Sequence, residues 1–298
     1  MMEVKGIIPP IITPMFEDES IHEEELRNQI RRQIKAGVHG IFPFGTNGEG
    51  YILNNKEKER VLEIVIEECK DKVPVYAGTG CIGTKETIQQ SLMAKAQGAD
   101  ILSIIAPSFA AASQDEIYEH YKAIAKAVDL PIVLYNIPAR TGNFIAPATV
   151  EKLSRIDGIV GAKDSSGNFD NMLQYIEKTS HMDGFAVLSG NDSLILWNLL
   201  AGGAGGIAGC ANVYPETMVG IYEEFRKGDL QKAKEYQDSI RTFRDCFRFG
   251  NPNTIVKTAV SLLGYPVGTC RAPFCMVSNE GIEALKKVLH DNKSKGMC

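Results

Sequence analysis

The chain has 298 residues, 44% of them hydrophobic, and a net charge of −5. That composition supplies material for a large globular core, and its mild acidity gives no reason to expect nucleic acid or an anionic membrane as partner. No apolar run reaches the roughly 18 residues of a membrane span, and the opening MMEVKGIIPPIITP lacks the basic start, long apolar stretch and cleavage site of a secretion signal.

Short apolar runs alternate with amphipathic stretches along the chain. Strands are expected at 6–13, 40–44, 73–78, 101–106, 131–136, 159–163, 185–189 and 205–209, with helices between them at 22–36, 56–70, 84–97, 114–127, 147–154, 169–179 and 192–201. Several strands are continuous apolar runs, which suits parallel strands covered on both faces. Gly37 and Gly98 follow helices and Pro147 opens one, so the start and stop signals agree. Eight βα units of this kind predict a (β/α)8 TIM barrel over residues 1–214. A doubly wound sheet could use the same alternation, but no GxGxxG follows the first strand. Beyond Pro215 the strand pattern stops. Helices are expected at 215–227, 230–248, 254–263 and 280–290, a C-terminal helical region over 215–298.

The seven cysteines are scattered and form no zinc pattern. Cys270 and Cys275 are the closest pair, and free thiols in a reducing cytoplasm are expected. The C-terminal Cys298 lacks the spacing of a prenylation box.

The stretch most suited to chemistry is GIVGAKDSSGN, from Gly158 to Asn168. It ends an apolar strand with a lone lysine, Lys163. A lysine in buried surroundings can have a lowered pKa, and its neutral amine attacks ketones to form a Schiff base; a lysine that merely ends a strand is the plainer alternative. The other chemistry-bearing motifs also fall at carboxyl ends of expected strands, where barrels gather functional groups. After 40–44 comes Gly45-Thr46-Asn47-Gly48-Glu49-Gly50, either a cradle of backbone and side-chain donors for a carboxylate or simply a glycine-rich turn. After 131–136 comes YNIPARTG. Tyr135 shares strand parity with Lys163 on the neighbouring strand, which makes a phenol and amine pair suited to proton transfer, and Arg140 is a fixed cation suited to a carboxylate. Ser189-Gly190-Asn191-Asp192 ends the seventh strand. The glycines around Ile207 in the eighth leave room for a ligand or for tight packing.

Together these motifs resemble the dihydrodipicolinate synthase / N-acetylneuraminate lyase family over essentially the full chain. The resemblance implies that Lys163 forms a Schiff base with pyruvate and that Tyr135 shuttles protons. It implies that the Gly45 to Glu49 loop holds the pyruvate carboxylate, that Thr46 hydrogen-bonds the tyrosine, and that the Ile207 backbone lines the site. No metal or organic cofactor is implied, because the Schiff base is the electron sink. The partners implied are pyruvate and an aldehyde or a 2-oxo-3-deoxy acid, in a cytoplasmic homotetramer built as a dimer of dimers. Two positions depart from the synthases: Asn47 replaces a second threonine, and Ser108-Phe109 replaces the tyrosine pair that completes a proton relay across subunits. Phe109 becomes the candidate for crossing the dimer interface. A lyase acting on a 2-oxo-3-deoxy sugar acid is the leading expectation. Dihydrodipicolinate synthase, supported by Arg140, is the alternative, ahead of N-acetylneuraminate lyase and a non-catalytic sugar-acid-binding protein.

Overall fold

The computed structural model describes residues 3–297. Met1, Met2 and Cys298, with its missing prenylation spacing, lie outside these residues. The described chain forms two compact units. One takes in the chain up to Gly6 together with Pro74–Ile207, and the other takes in Ile7–Val73 and the chain from Ala208 onward.

Seven strands occur among the described residues: β1 Gly6–Ile8, β2 Tyr76–Gly78, β3 Ile101–Ile105, β4 Ile132–Asn136, β5 Ile159–Asp164, β6 Ala186–Ser189 and β7 Gly205–Ile207. They make one sheet of order β1-β7-β6-β5-β4-β3-β2, and β2 through β7 pair in parallel. An order in which the first strand joins the last fits an α/β barrel, whereas a doubly wound sheet keeps its first strand in the interior. Every residue of β4 and β6 is buried, as expected of parallel strands covered on both faces.

The helices in chain order are α1 Glu23–Lys35, α2 Asn55–Cys69, α3 Thr84–Gln97, α4 Gln114–Ala127, α5 Pro138–Thr141, α6 Pro147–Leu153, α7 Phe169–Thr179, α8 Ile195–Leu200, α9 Pro215–Lys227, α10 Leu230–Ser239, α11 Arg241–Asp245, α12 Pro252–Leu262 and α13 Asn279–Ser294. Helices α3 to α8 lie in the first unit and the rest in the second. Local chemistry sets many of these bounds. Asn54 with Glu57 and Ser113 with Glu116 form capping boxes that satisfy the first N–H groups of α2 and α4. Gly98 and Gly228 close α3 and α9 in the left-handed conformation.

Three expectations are corrected. The segment 40–44 is not a regular strand. Its backbone does bond within its unit, Phe42 N–H to Pro9 O at 3.0 Å and Ile11 N–H to Phe42 O at 3.1 Å. Pro43 then offers no N–H, and Phe44 turns to φ +65°, so the ladder cannot continue. The first strand ends at Ile8 rather than residue 13 because Pro9 and Pro10 remove two donors. The single helix expected over 230–248 breaks at Ser239. Its hydroxyl donates to Tyr236 O at 2.7 Å, competing with the helix ladder, and the chain restarts as α11 and a 3-10 turn at Cys246–Phe249.

Candidate active site

Strands β4 and β5 bring Tyr135 and Lys163 side by side. Their register pairs Val133 with Gly161 and Tyr135 with Lys163, after an irregularity at Ile132/Val133. Both side chains are 3% exposed. The Lys163 Nζ sits 3.5 Å from the centroid of the Tyr135 ring. Burial pushes the Lys163 amine below its ordinary value. Tyr135 opposes this through its charge and a hydrogen bond, and the carboxylate of Asp192 opposes it further. Desolvation is the largest of these causes, so burial shifts the amine toward its neutral, nucleophilic form.

The turns after β5 and β6 close tightly around the lysine. Gly190 N–H donates to Asp164 O at 2.8 Å. A Cβ at Gly190 would stand 1.9 Å from Ser165 Oγ and 2.8 Å from Lys163 Cε, so any larger residue there must displace Ser165 or the amine's stem. The buried Ser189 donates its hydroxyl to Asn191 O at 2.8 Å and thereby shapes this turn. Asp164, beside the lysine in sequence, is itself buried. It accepts from Asn136 Nδ2 at 2.8 Å, from Ser166 N–H at 3.1 Å and from Ser166 Oγ at 2.8 Å, which ties the end of β4 to the turn after β5. Ile207 ends β7 and is buried.

Arg140 is exposed on the single-turn helix α5, which Pro138 opens and Gly142 closes at φ +74°. Phe109 is 97% exposed and has φ +78°, an uncommon state for an aromatic residue. Asn143 fixes the loop that carries it. Its Nδ2 donates to Pro107 O and Ala110 O, both at 2.8 Å, and its Oδ1 accepts from Ala112 N–H at 2.8 Å. Lys163, Tyr135, Ser189, Gly190, Ile207, Arg140 and Phe109 all belong to the first unit.

The Gly45-Thr46-Asn47-Gly48 loop belongs to the second unit. Thr46 and Asn47 are half-buried and the two glycines are buried. Thr13 Oγ1 donates to Gly48 O at 2.7 Å, and Glu49 N–H donates to Thr46 O at 3.2 Å. The loop thus turns back on itself.

Asp192 lies in the turn after β6, and the sequence alone assigns it no role. It is a buried carboxylate, 4% exposed, whose charge reaches Lys163. Its signal in sequence was weak, because an aspartate after Ser-Gly-Asn reads equally well as a helix cap. Asp164 and Asn143 carry no sequence signal as organisers, since the partners through which they tie separate segments together lie 28 to 36 positions away.

Comparison with known proteins shows the family. The profile of the Dihydrodipicolinate synthetase family matches residues 3–292. A 4-hydroxy-tetrahydrodipicolinate synthase of Methanopyrus kandleri is 40% identical over 290 residues, 96% of each chain. Among solved structures, a dihydrodipicolinate synthase of Thermotoga maritima superposes with a TM-score of 0.95 at 30% identity, over 98% of this chain and 99% of that one. YagE, a prophage protein of the dihydrodipicolinic acid synthase family from E. coli K12 solved with pyruvate, superposes with a TM-score of 0.94 at 30% identity over 99% of both. With a match of this extent, the chain belongs to the Dihydrodipicolinate synthetase family and is a carbon–carbon lyase of the class I aldolase type.

Proposed function

We propose that the protein is a pyruvate-dependent aldolase whose Schiff-base residue is Lys163 and whose preferred substrate is a 2-oxo-3-deoxy sugar acid. The observation that carries the first part is the buried Lys163 amine against the Tyr135 ring, held below its ordinary pKa by desolvation. The neutral Nζ attacks the ketone carbon of pyruvate or of the sugar acid, and the carbinolamine loses water to give an iminium. In cleavage, the bond between C3 and C4 breaks, its electron pair moves into the iminium to form an enamine, and the C4 hydroxyl loses its proton as the aldehyde leaves. Tyr135 supplies and takes the protons. Protonation of the enamine and hydrolysis return pyruvate and the free amine. Nothing beyond the lysine is needed as electron sink, so no cofactor is required. The Gly45–Gly48 loop, with Thr46 and Asn47, serves the substrate carboxylate. Arg140, Ser189, Gly190 and the Ile207 backbone serve the rest of the substrate. In this reading the catalytic residues lie within a barrel of residues 1–214, and the enzyme works in the cytoplasm as a homotetramer.

The substrate preference rests on Phe109. Its exposure and strained backbone suit a side chain presented to a second subunit, and a benzene ring has no proton to relay. Condensation with aspartate semialdehyde then lacks a donor that a hydroxyl-bearing sugar acid supplies itself. The second reading is 4-hydroxy-tetrahydrodipicolinate synthase, favoured by the name of the Methanopyrus kandleri relative and by the exposed Arg140, which can receive a carboxylate. A side-by-side comparison of kcat/KM for the two reactions tests this, with Phe109→Tyr as a second arm. The sugar acid should be the better substrate, and Phe109→Tyr should raise the semialdehyde reaction about tenfold or more. A wild-type preference for the semialdehyde that Phe109→Tyr leaves unchanged restores the synthase reading.

A further inference from the structure

One charged pair inside the second unit takes no part in the chemistry above. Glu49, the last side chain of the glycine-rich loop, is fully buried at 0% exposure, and Lys257 of α12 is buried at 1%. Lys257 Nζ donates to Glu49 Oε1 at 2.8 Å, across 208 positions of sequence. The other carboxylate oxygen, Oε2, accepts from the backbone N–H of Arg271 at 2.8 Å. The buried thiol of Cys270 packs against the same carboxylate, and burial pushes it up to about 12.

The loop that Glu49 ends is under strain. Phe44 and Glu49, neither of them glycine, hold φ of +65° and +56°. Residues in this region cost on the order of 1 kcal/mol or more and persist only where their surroundings over-determine them. The turn is also tight. A Cβ at Gly50 would stand 2.2 Å from Phe44 O, and Gly50 N–H reaches back to Gly45 O at 3.4 Å. A turn with two strained residues relaxes unless something holds its ends. Thr13 holds one carbonyl, at Gly48. At its carboxyl end the loop is held through Glu49, by two hydrogen bonds from beyond residue 250, one of them from a buried ammonium.

We infer that Lys257 is a positioning residue for the substrate carboxylate: it anchors Glu49 and so keeps the Gly45–Gly48 backbone and the Thr46 and Asn47 side chains in their binding arrangement. This rests on the reading of that loop as the carboxylate holder. Charge burial gives it a distinctive signature. Removing one partner strands a buried charge, whereas removing both charges together is close to neutral. Lys257→Met leaves the buried Glu49 carboxylate without its counter-charge, and the loop it holds is released. Glu49→Gln with Lys257→Met leaves a neutral amide still able to accept from Arg271 N–H.

The test is the pyruvate dependence of borohydride trapping on Lys163, with circular dichroism and thermal melts as controls for folding. Lys257→Met should raise the half-saturating pyruvate concentration about tenfold or more while trapping at saturation stays complete. The double variant should recover most of that loss, and Lys257→Arg should lie between the two. Should Lys257→Met fail to fold, the double variant and Lys257→Arg carry the comparison, with the double nearer to wild type. Half-saturation within about twofold of wild type in a folded Lys257→Met protein overturns the inference while leaving the Schiff-base reading intact. So does a double variant as impaired as the single one. Absence of trapping in the wild-type protein overturns that reading, and this inference with it.

Discussion

Lys163 is a costly residue to bury, and its cost has a predictable pH dependence. The native site holds its amine below the ordinary value of 10.5. Between the lowered value and 10.5 the native chain therefore binds fewer protons than the unfolded chain, so stability rises with pH across that window. Below the lowered value the penalty is present in full. Lys163→Met removes it, and should melt about 2 °C or more above wild type near neutral pH. The gap should narrow as pH approaches the ordinary lysine value. Thermal melts at about pH 7 and about pH 10 check this, and a variant less stable than wild type at the lower pH would show that Lys163 stabilises the fold. The position of this lysine was legible in the sequence because a charge at the end of an apolar strand has few places to go. Its pairing with Tyr135 was legible from parity, which the register Tyr135 to Lys163 matches. The influence of Asp192 was not legible, because a charge acting through space leaves no periodic mark.

Elements matter here chiefly through the turns that end them. The backbone of Gly190, at the close of β6, passes so near the lysine stem that a methyl group would overlap Ser165 Oγ and crowd Cε. Gly190→Ala must displace one or the other. It should slow trapping of pyruvate on Lys163 about tenfold or more while the protein still folds, since Ser165 and the lysine stem are side chains able to move. Single-turnover trapping measures this, and an unchanged rate would mean that the turn has slack around the amine. Helices α3, α4, α7 and α9 match their sequence reading because a capping box, an asparagine cap, glycine stops and an opening proline are local signals. The segment 40–44 shows where locality fails. Its apolar content says strand, but whether a ladder continues depends on Pro43 and on the left-handed Phe44. The break of the 230–248 helix at Ser239 has a different cause, a side chain competing with the backbone for a carbonyl.

At the scale of the whole molecule, one exposed residue bears on assembly. Phe109 stands almost fully in solvent on a loop that Asn143 braces with three hydrogen bonds. A large aromatic group held out this way, at a conformational cost, suits contact with a second copy. Light scattering at micromolar concentration should show a tetramer, and a monomer would remove the assembly from the account. No helix among the described residues is long and apolar enough to cross a membrane. The proposed catalysis by Lys163 turns on one covalent bond. The most direct test is borohydride reduction in the presence of pyruvate, followed by peptide mass spectrometry of wild type and Lys163→Arg. A single pyruvate-derived adduct is expected on the peptide carrying Lys163, absent without pyruvate and absent from the variant. No adduct on the wild-type protein, or an adduct on another lysine that survives in Lys163→Arg, would contradict the Schiff-base reading.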